Sequence, residues 1–133
     1  AMAVASKLNA DWRANKQPKS ILFINLPTLF IKIQNSFNRK EGMTSNEWLE
    51  LLKKVDYLIL DDLGRSDNAQ WKQDFLYSLL DEREATIITT NLVGSEMKAL
   101  FETGLVSRIT KGGRDLYFKY PDNAEDRRKL PCY

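Results

Sequence analysis

The chain has 133 residues, of which 43% are hydrophobic and 29% charged, with 20 Lys and Arg against 18 Asp and Glu for a formal net charge of +2. That length and balance describe one globular domain able to bury its own core, rather than a disordered or membrane-spanning chain. Cys132 is the only cysteine and histidine is absent, which excludes an intrachain disulfide, the usual zinc sites and every mechanism built on an imidazole.

No apolar run approaches the length of a membrane helix and there is no signal-peptide pattern, so no membrane partner and a cytoplasmic location are expected. A net charge of +2 is too small to mark a nucleic-acid binder by itself, because such affinity comes from clustered cations. Clusters stand at Arg39-Lys40, Lys53-Lys54, Arg108 to Arg114 and Arg127-Arg128-Lys129. Each of them reads first as a solvated face.

In chain order, Ala1 to Lys16 has a helical period, with Met2, Ala5, Leu8 and Trp12 on one side, and it opens without a capping residue. Pro18 ends it. Ser20 to Asn25 reads as a buried strand. Leu26-Pro27-Thr28 starts a second helix whose apolar stripe is Leu29, Phe30, Ile33 and Phe37. Asn38 to Gly42 is a polar, basic turn. Thr44 and Glu47 are spaced as a capping box for a third helix carrying Trp48, Leu51 and Leu52.

That helix leads into Val55-Asp56-Tyr57-Leu58-Ile59-Leu60-Asp61-Asp62-Leu63-Gly64, an apolar run ending in two adjacent carboxylates. Continuous apolar residues mark Leu58 to Leu60 as a strand covered on both faces. After a loop from Arg65 to Asn68, the positions Trp71, Phe75, Leu76, Leu79 and Leu80 define a helix ending near Arg83, and the strand Thr86 to Asn91 follows. Glu84 and Ala85 alone must then cover a helix end and a reversal. That is at the bottom of the usual range for such connections, so either the helix ends early or residues are missing there.

A short helix runs from Ser95 to about Phe101, with Gly104 as its exit glycine. Val106 to Ile109 is a helical turn, Lys111-Gly112-Gly113 a flexible one, and Leu116 to Tyr120 a last strand rich in aromatic residues. Ala124 to Leu130 closes the chain as a charged helical segment. Trp12, Trp48 and Trp71 fall on apolar stripes and read as core. Strands alternating with helices predict an α/β fold with a three-layer, mostly parallel sheet.

In open sheets of this class ligands gather at the carboxyl ends of the strands. Two strands carry polar residues there: Asp61-Asp62 on one and Thr90-Asn91 on the other. If the strands are neighbours, these side chains converge. Asp61 could hold a magnesium ion, directly or through water, and Asp62 could accept a proton from an attacking water. Asn91 could orient that water or sense a γ-phosphate. Arg108 either pairs simply with a surface carboxylate or has the charge needed to stabilise a phosphoryl-transfer transition state, most naturally on a neighbouring subunit.

Asn91 follows Asp61 by 30 residues and Arg108 follows Asn91 by 17. That ordering resembles the AAA+ ATPase core of the P-loop NTPase type, in particular the DnaC/DnaI helicase loaders and the related IstB transposition ATPases. Leu58 to Gly64 resembles Walker B, Thr86 to Asn91 the sensor-1 strand, Val106 to Ile109 the arginine-finger segment, and Ala1 to Leu8 the helix after the phosphate loop. The short tail after Tyr120 is similar to that group's ending without a separate lid domain. The resemblance implies ATP and Mg as cofactors. As partners it implies a replicative helicase, single-stranded DNA and further copies of the chain joined through Arg108. Lys32, Arg39 and Lys40 lie where such loaders face single-stranded DNA. A transposition ATPase, or a non-hydrolysing adaptor that binds helicase and DNA, remains open beside the loader.

Two departures accompany the resemblance. Asp62 stands where many AAA+ proteins carry glutamate, a shorter arm for the general base. No Gly-x-x-x-x-Gly-Lys-[Ser/Thr] occurs in the chain, so the cradle for the β- and γ-phosphates is not among these residues. In the family, the strand leading into that loop lies between the sensor-1 strand and the last strand. Without it Leu116 to Tyr120 has no hydrogen-bonding neighbour. The expectation is that residues 1–133 are a partial AAA+ domain, lacking at least that strand and loop before Ala1.

Overall fold

In the computed structural model the described residues are 2–16, 19–39, 42–65, 67–111, 117–119 and 121. They form α1 (Met2–Ala14), β1 (Ile21–Asn25), α2 (Leu26–Arg39), α3 (Ser45–Lys54), β2 (Tyr57–Leu63), α4 (Gln70–Asp81), β3 (Thr86–Thr90), α5 (Gly94–Leu100) and α6 (Thr103–Ile109). The strands make one parallel sheet in the order β1-β2-β3. Central β2 is the predicted buried strand: Leu58, Ile59 and Leu60 are each 0% exposed.

Strand alternation assigns these residues to two layers. Leu58 and Leu60 join one apolar cluster with Leu26, Leu29, Phe30 and Ile33 of α2, Leu52 of α3, the inner face of α4 and Leu105 of α6. Tyr57, on the other face, meets Trp12 of α1 at 4.7 Å between ring centroids. The three-layer, parallel α/β class predicted above is therefore the one observed. The helix starts follow local chemistry. Thr44 and Glu47 form the capping box in both directions, while Pro27 sits in the first turn of α2, where its missing N–H costs nothing.

Several expectations shift on contact with tertiary structure. The stripe of α3 rotates so that Leu49, rather than the 39%-exposed Leu51, packs on the core. The tryptophans are partly buried, with Trp71 edge-on to Phe30 and to Phe37. Gly104 is not the exit of α5, whose cap is Phe101; it lies inside α6, where a Cβ would come within 3.3 Å of the Tyr77 ring. The expected last strand is only partly within the described residues, and Tyr117 to Lys119 there is neither helix nor strand. Among the described residues the outer edge of β3 carries no strand. The segment Ala124 to Leu130 and Cys132 lie outside the described residues.

The short link before β3 closes because α4 stops at Asp81, leaving Glu82 to Ala85 to turn. Arg83 makes that possible. Only 7% exposed, it points inward and donates to the carbonyls of Leu52, Lys53 and Val55 at 2.8–3.0 Å. It also donates to those of Asp56 and Ala85 and to the Thr86 hydroxyl at 3.1–3.3 Å. The first three carbonyls belong to the end of α3, where helical partners run out.

Two exposed carboxylates are held below their ordinary titration range by donors at element starts. The Thr44 N–H, then its hydroxyl, act on Glu47. The Ser20 N–H, then its hydroxyl, act on Asp56, with Lys19 adding to them. A lowered folded pKa gives stability that is fully present above the unfolded value and is lost as pH falls through the folded one. The unfolding free energy measured with urea is therefore expected to be smaller at about pH 3 than at pH 7, ordinary carboxyl groups titrating near 4. Equal values at both pH values would contradict this.

Candidate active site

The carboxyl ends of all three strands meet at Asp61 and Asp62. Asn25 ends β1 directly opposite Asp61. On the other side Leu60 faces Ile88 and Leu63 faces Thr90, so Asp61 and Asp62 together oppose Thr89 in a β-bulge. Asp62 accordingly takes a left-handed backbone at φ +63°, a region that aspartate tolerates better than most residues. Gly64 completes the turn at φ +85°. A Cβ there would stand 2.3 Å from Leu92 Cδ1, so the glycine is required for close approach as well as for its backbone angle.

The bulge aims the two carboxylates differently. Asp61 Oδ1 accepts from the Thr89 hydroxyl at 2.5 Å. Asp62 Oδ2 accepts from the Asn25 amide at 3.1 Å and lies 3.5 Å from Arg65. Asn25 is itself fixed, its Oδ1 taking the Thr28 N–H at 3.1 Å and hydroxyl at 2.8 Å. Both carboxylates are half-buried. Behind them the loop from Asp67 is tied down by Lys72, a buried lysine that pairs with Asp67 and lies 5.4 Å from the Phe30 ring and 5.5 Å from the Trp71 ring.

Among the described residues no three His, Cys, Asp or Glu side chains converge into a self-sufficient metal cage. An Asp61 with one oxygen committed to Thr89 and one uncommitted suits a magnesium ion that takes one or two carboxylates from protein and the rest from phosphate and water.

Asn91 lies exposed, one residue beyond β3, on the strand adjoining the carboxylates. Arg108 is elsewhere. It sits on α6 with its guanidinium 3.8 Å from the Tyr77 ring centroid, bonded to Asp81 at 2.6 and 2.8 Å and to the Gly104 carbonyl at 3.1 Å. Asp81 is the last residue of α4, a helix that starts near the Gly64 turn and rises about 1.5 Å per residue. Arg108 is therefore held at the end of α4 away from the Gly64 turn. Lys32 faces solvent on α2. Arg39 ends α2, with only its backbone described, and Lys40 lies outside the described residues.

The residues missed from sequence are Asn25 and Thr89. Asn25 had a readable signal, a polar residue closing a buried strand; Thr89 had none, because its role depends on the bulge.

No family model matches the chain. Curated relatives do. The replicative helicase loader DnaC of Buchnera aphidicola subsp. Baizongia pistaciae (strain Bp) is 22% identical over 98 residues, covering 71% of this chain and 40% of that protein. An uncharacterized protein, YdaV, of Escherichia coli (strain K12) is 26% identical over 113 residues, covering 81% of this chain and 45% of that one. The chain thus spans less than half the length of these relatives. Among solved structures, a DnaC helicase loader superposes with a TM-score of 0.61 at 19% identity, covering 85% of this chain and 67% of that one. AMPPCP-bound DnaA from Aquifex aeolicus superposes with a TM-score of 0.56 at 22% identity, covering 72% and 30%.

The open parallel sheet with carboxylates at the end of its central strand is the AAA+ P-loop fold. Within that class the chain is similar in sequence and in fold to DnaC helicase loaders.

Proposed function

We propose that these residues form part of a DnaC-like helicase loader that hydrolyses ATP with magnesium, binds single-stranded DNA and engages a replicative helicase. The observation that carries the chemistry is the bulge at Asp61-Asp62, which splits two adjacent carboxylates into separately braced groups at the carboxyl end of the central strand. Asp61 would hold a magnesium ion, which when bound would neutralise charge on the phosphates. Asp62, pulled toward β1 by Asn25, takes the proton of the water whose oxygen attacks the γ-phosphorus. The bond from that phosphorus to the β–γ bridging oxygen breaks, and ADP leaves. Asn91 orients the water. The phosphate cradle that this reading requires is not among the present residues.

Arg108 pairs with Asp81 at the last residue of α4 rather than with Asp61 or Asp62, which favours a role on the nucleotide of a neighbouring copy. Lys32, Arg39 and Lys40, on and just after α2, supply cations for the DNA backbone, where such contacts dominate affinity.

In the natural full-length protein, Asp61→Ala is expected to lower DNA-stimulated ATP turnover by about 100-fold or more, the scale of losing a principal electrostatic group. The fold should persist, as checked by circular dichroism. Unchanged turnover would remove the ATPase reading. A native protein that binds helicase and DNA without turnover would instead be an adaptor on the same fold.

A further inference from the structure

Thr89 meets both aspartates with its one hydroxyl, Asp61 at the carboxylate and Asp62 at the backbone. Its Oγ1 accepts the Asp62 N–H at 3.2 Å and donates to Asp61 Oδ1 at 2.5 Å. The direction of these bonds follows from chemistry. A backbone N–H can only donate, so a hydroxyl lone pair faces Asp62 and the hydroxyl proton is left for Asp61.

The contact exists because of register. With Leu60 opposite Ile88 and Leu63 opposite Thr90, the bulge removes the Asp62 N–H from the regular ladder. The hydroxyl satisfies that N–H in a residue whose φ is +63°. Thr90 closes the next rung, donating to the Leu63 carbonyl at 2.8 Å and accepting the Leu92 N–H at 3.1 Å. The bulge is thus held shut on both sides, but of the two threonines only Thr89 touches a carboxylate, that of Asp61.

We propose that Thr89 is a positioning residue for the carboxylate pair. By engaging Asp61 Oδ1 it turns the other oxygen toward the divalent cation, and by holding the Asp62 N–H it fixes the bulge from which Asp62 reaches the attacking water. This inference rests on the nucleotide-site reading of Asp61 and Asp62. Magnesium tolerates little error in ligand direction, and removing a hydrogen-bond partner of a ligating group weakens metal binding about 10- to 100-fold.

The test uses the natural full-length protein with Thr89→Val, which keeps the shape and strand preference but removes the hydroxyl, and Thr89→Ser, which keeps the hydroxyl. Binding of Mn²⁺ in the presence of a non-hydrolysable ATP analogue is followed by electron paramagnetic resonance. The Mg²⁺ concentration for half-maximal ATP turnover is measured alongside. Thr89→Val should weaken Mn²⁺ binding by about 10-fold and raise the Mg²⁺ requirement in parallel, with Thr89→Ser within about two-fold of the native protein. Nucleotide affinity measured without metal should not move. If Thr89→Val does not fold, Thr89→Ala is read in the same way. Native Mn²⁺ binding in the hydroxyl-free variant, beside its loss in Asp61→Asn, overturns the role of Thr89 and leaves the site standing. Native Mn²⁺ binding in Asp61→Asn overturns the site, and the role of Thr89 with it.

Discussion

Arg83→Ala is expected to lower the unfolding free energy by about 3–5 kcal/mol, the cost of emptying a buried, fully hydrogen-bonded charge site. The guanidinium bridges the end of α3, the entry to β2 and the entry to β3 through its carbonyl partners at Leu52, Lys53, Val55, Asp56 and Ala85. Without it the carbonyls of Leu52, Lys53, Val55 and Asp56 lose this donor, while that of Ala85 keeps the Leu58 N–H, each lost partner costing about 1–3 kcal/mol before relaxation. Burial pushes the guanidinium below its ordinary pKa, with the nearby Asp56 acting against the shift; an arginine remains charged throughout the working pH range. Arg83→Lys keeps the charge but not the planar fork, and it should recover only a minor part of the loss. Urea denaturation checks both variants. A midpoint shift with an unchanged slope is expected, and a loss below about 1 kcal/mol for Arg83→Ala would show that the carbonyls find other partners.

Arg108→Ala is the second large effect, and it should fall on turnover rather than on stability. In the isolated chain Arg108 pairs with Asp81 on a half-exposed surface, with the Asp81 side chain 52% exposed. Such a pair contributes about 0–1 kcal/mol, and the contact with Tyr77 a similar amount. If Arg108 acts across a subunit boundary, losing it should lower ATP turnover about 10³-fold or more. Mixing distinguishes this from a local effect. Arg108→Ala and Asp62→Ala subunits, each inactive alone, should recover part of the turnover when combined, because one supplies the arginine and the other the base. Absence of recovery, with assembly intact, would place the arginine's role within its own chain. Asp81→Asn releases Arg108 without removing it and should retain turnover.

What was legible in the sequence follows from local physics. The apolar run from Leu58 to Leu60 could only be a strand covered on both faces, and it is. The Thr44 and Glu47 box, the proline in the first turn of α2 and the carboxylate pair at a strand end all depend on neighbours within a few residues. The misread elements depend on distant ones. Spacing alone makes Gly104 an exit glycine, because nothing along the chain shows that Tyr77 lies against it. Helical period puts Leu51 on the stripe of α3 and does not reveal the rotation that seats Leu49 instead.

The candidate site divides in the same way. By itself the sequence determined that Asp61 and Asp62 lie toward the carboxyl end of a buried strand, that Asn91 follows another, and that no phosphate-loop motif accompanies them among these residues. Only the tertiary structure decided that the two carboxylates part company. A β-bulge is a relation between strands, so it has no signature along one strand. The bulge set Thr89 against Asp61 and gave Asp62 to Asn25, while the pairing of Arg108 on α6 with Asp81 placed the arginine toward the far end of α4. The link at Glu84 was decided by the same kind of fact: Arg83 reaches carbonyls about 30 residues away in the chain, and no local rule predicts where such a side chain will find them.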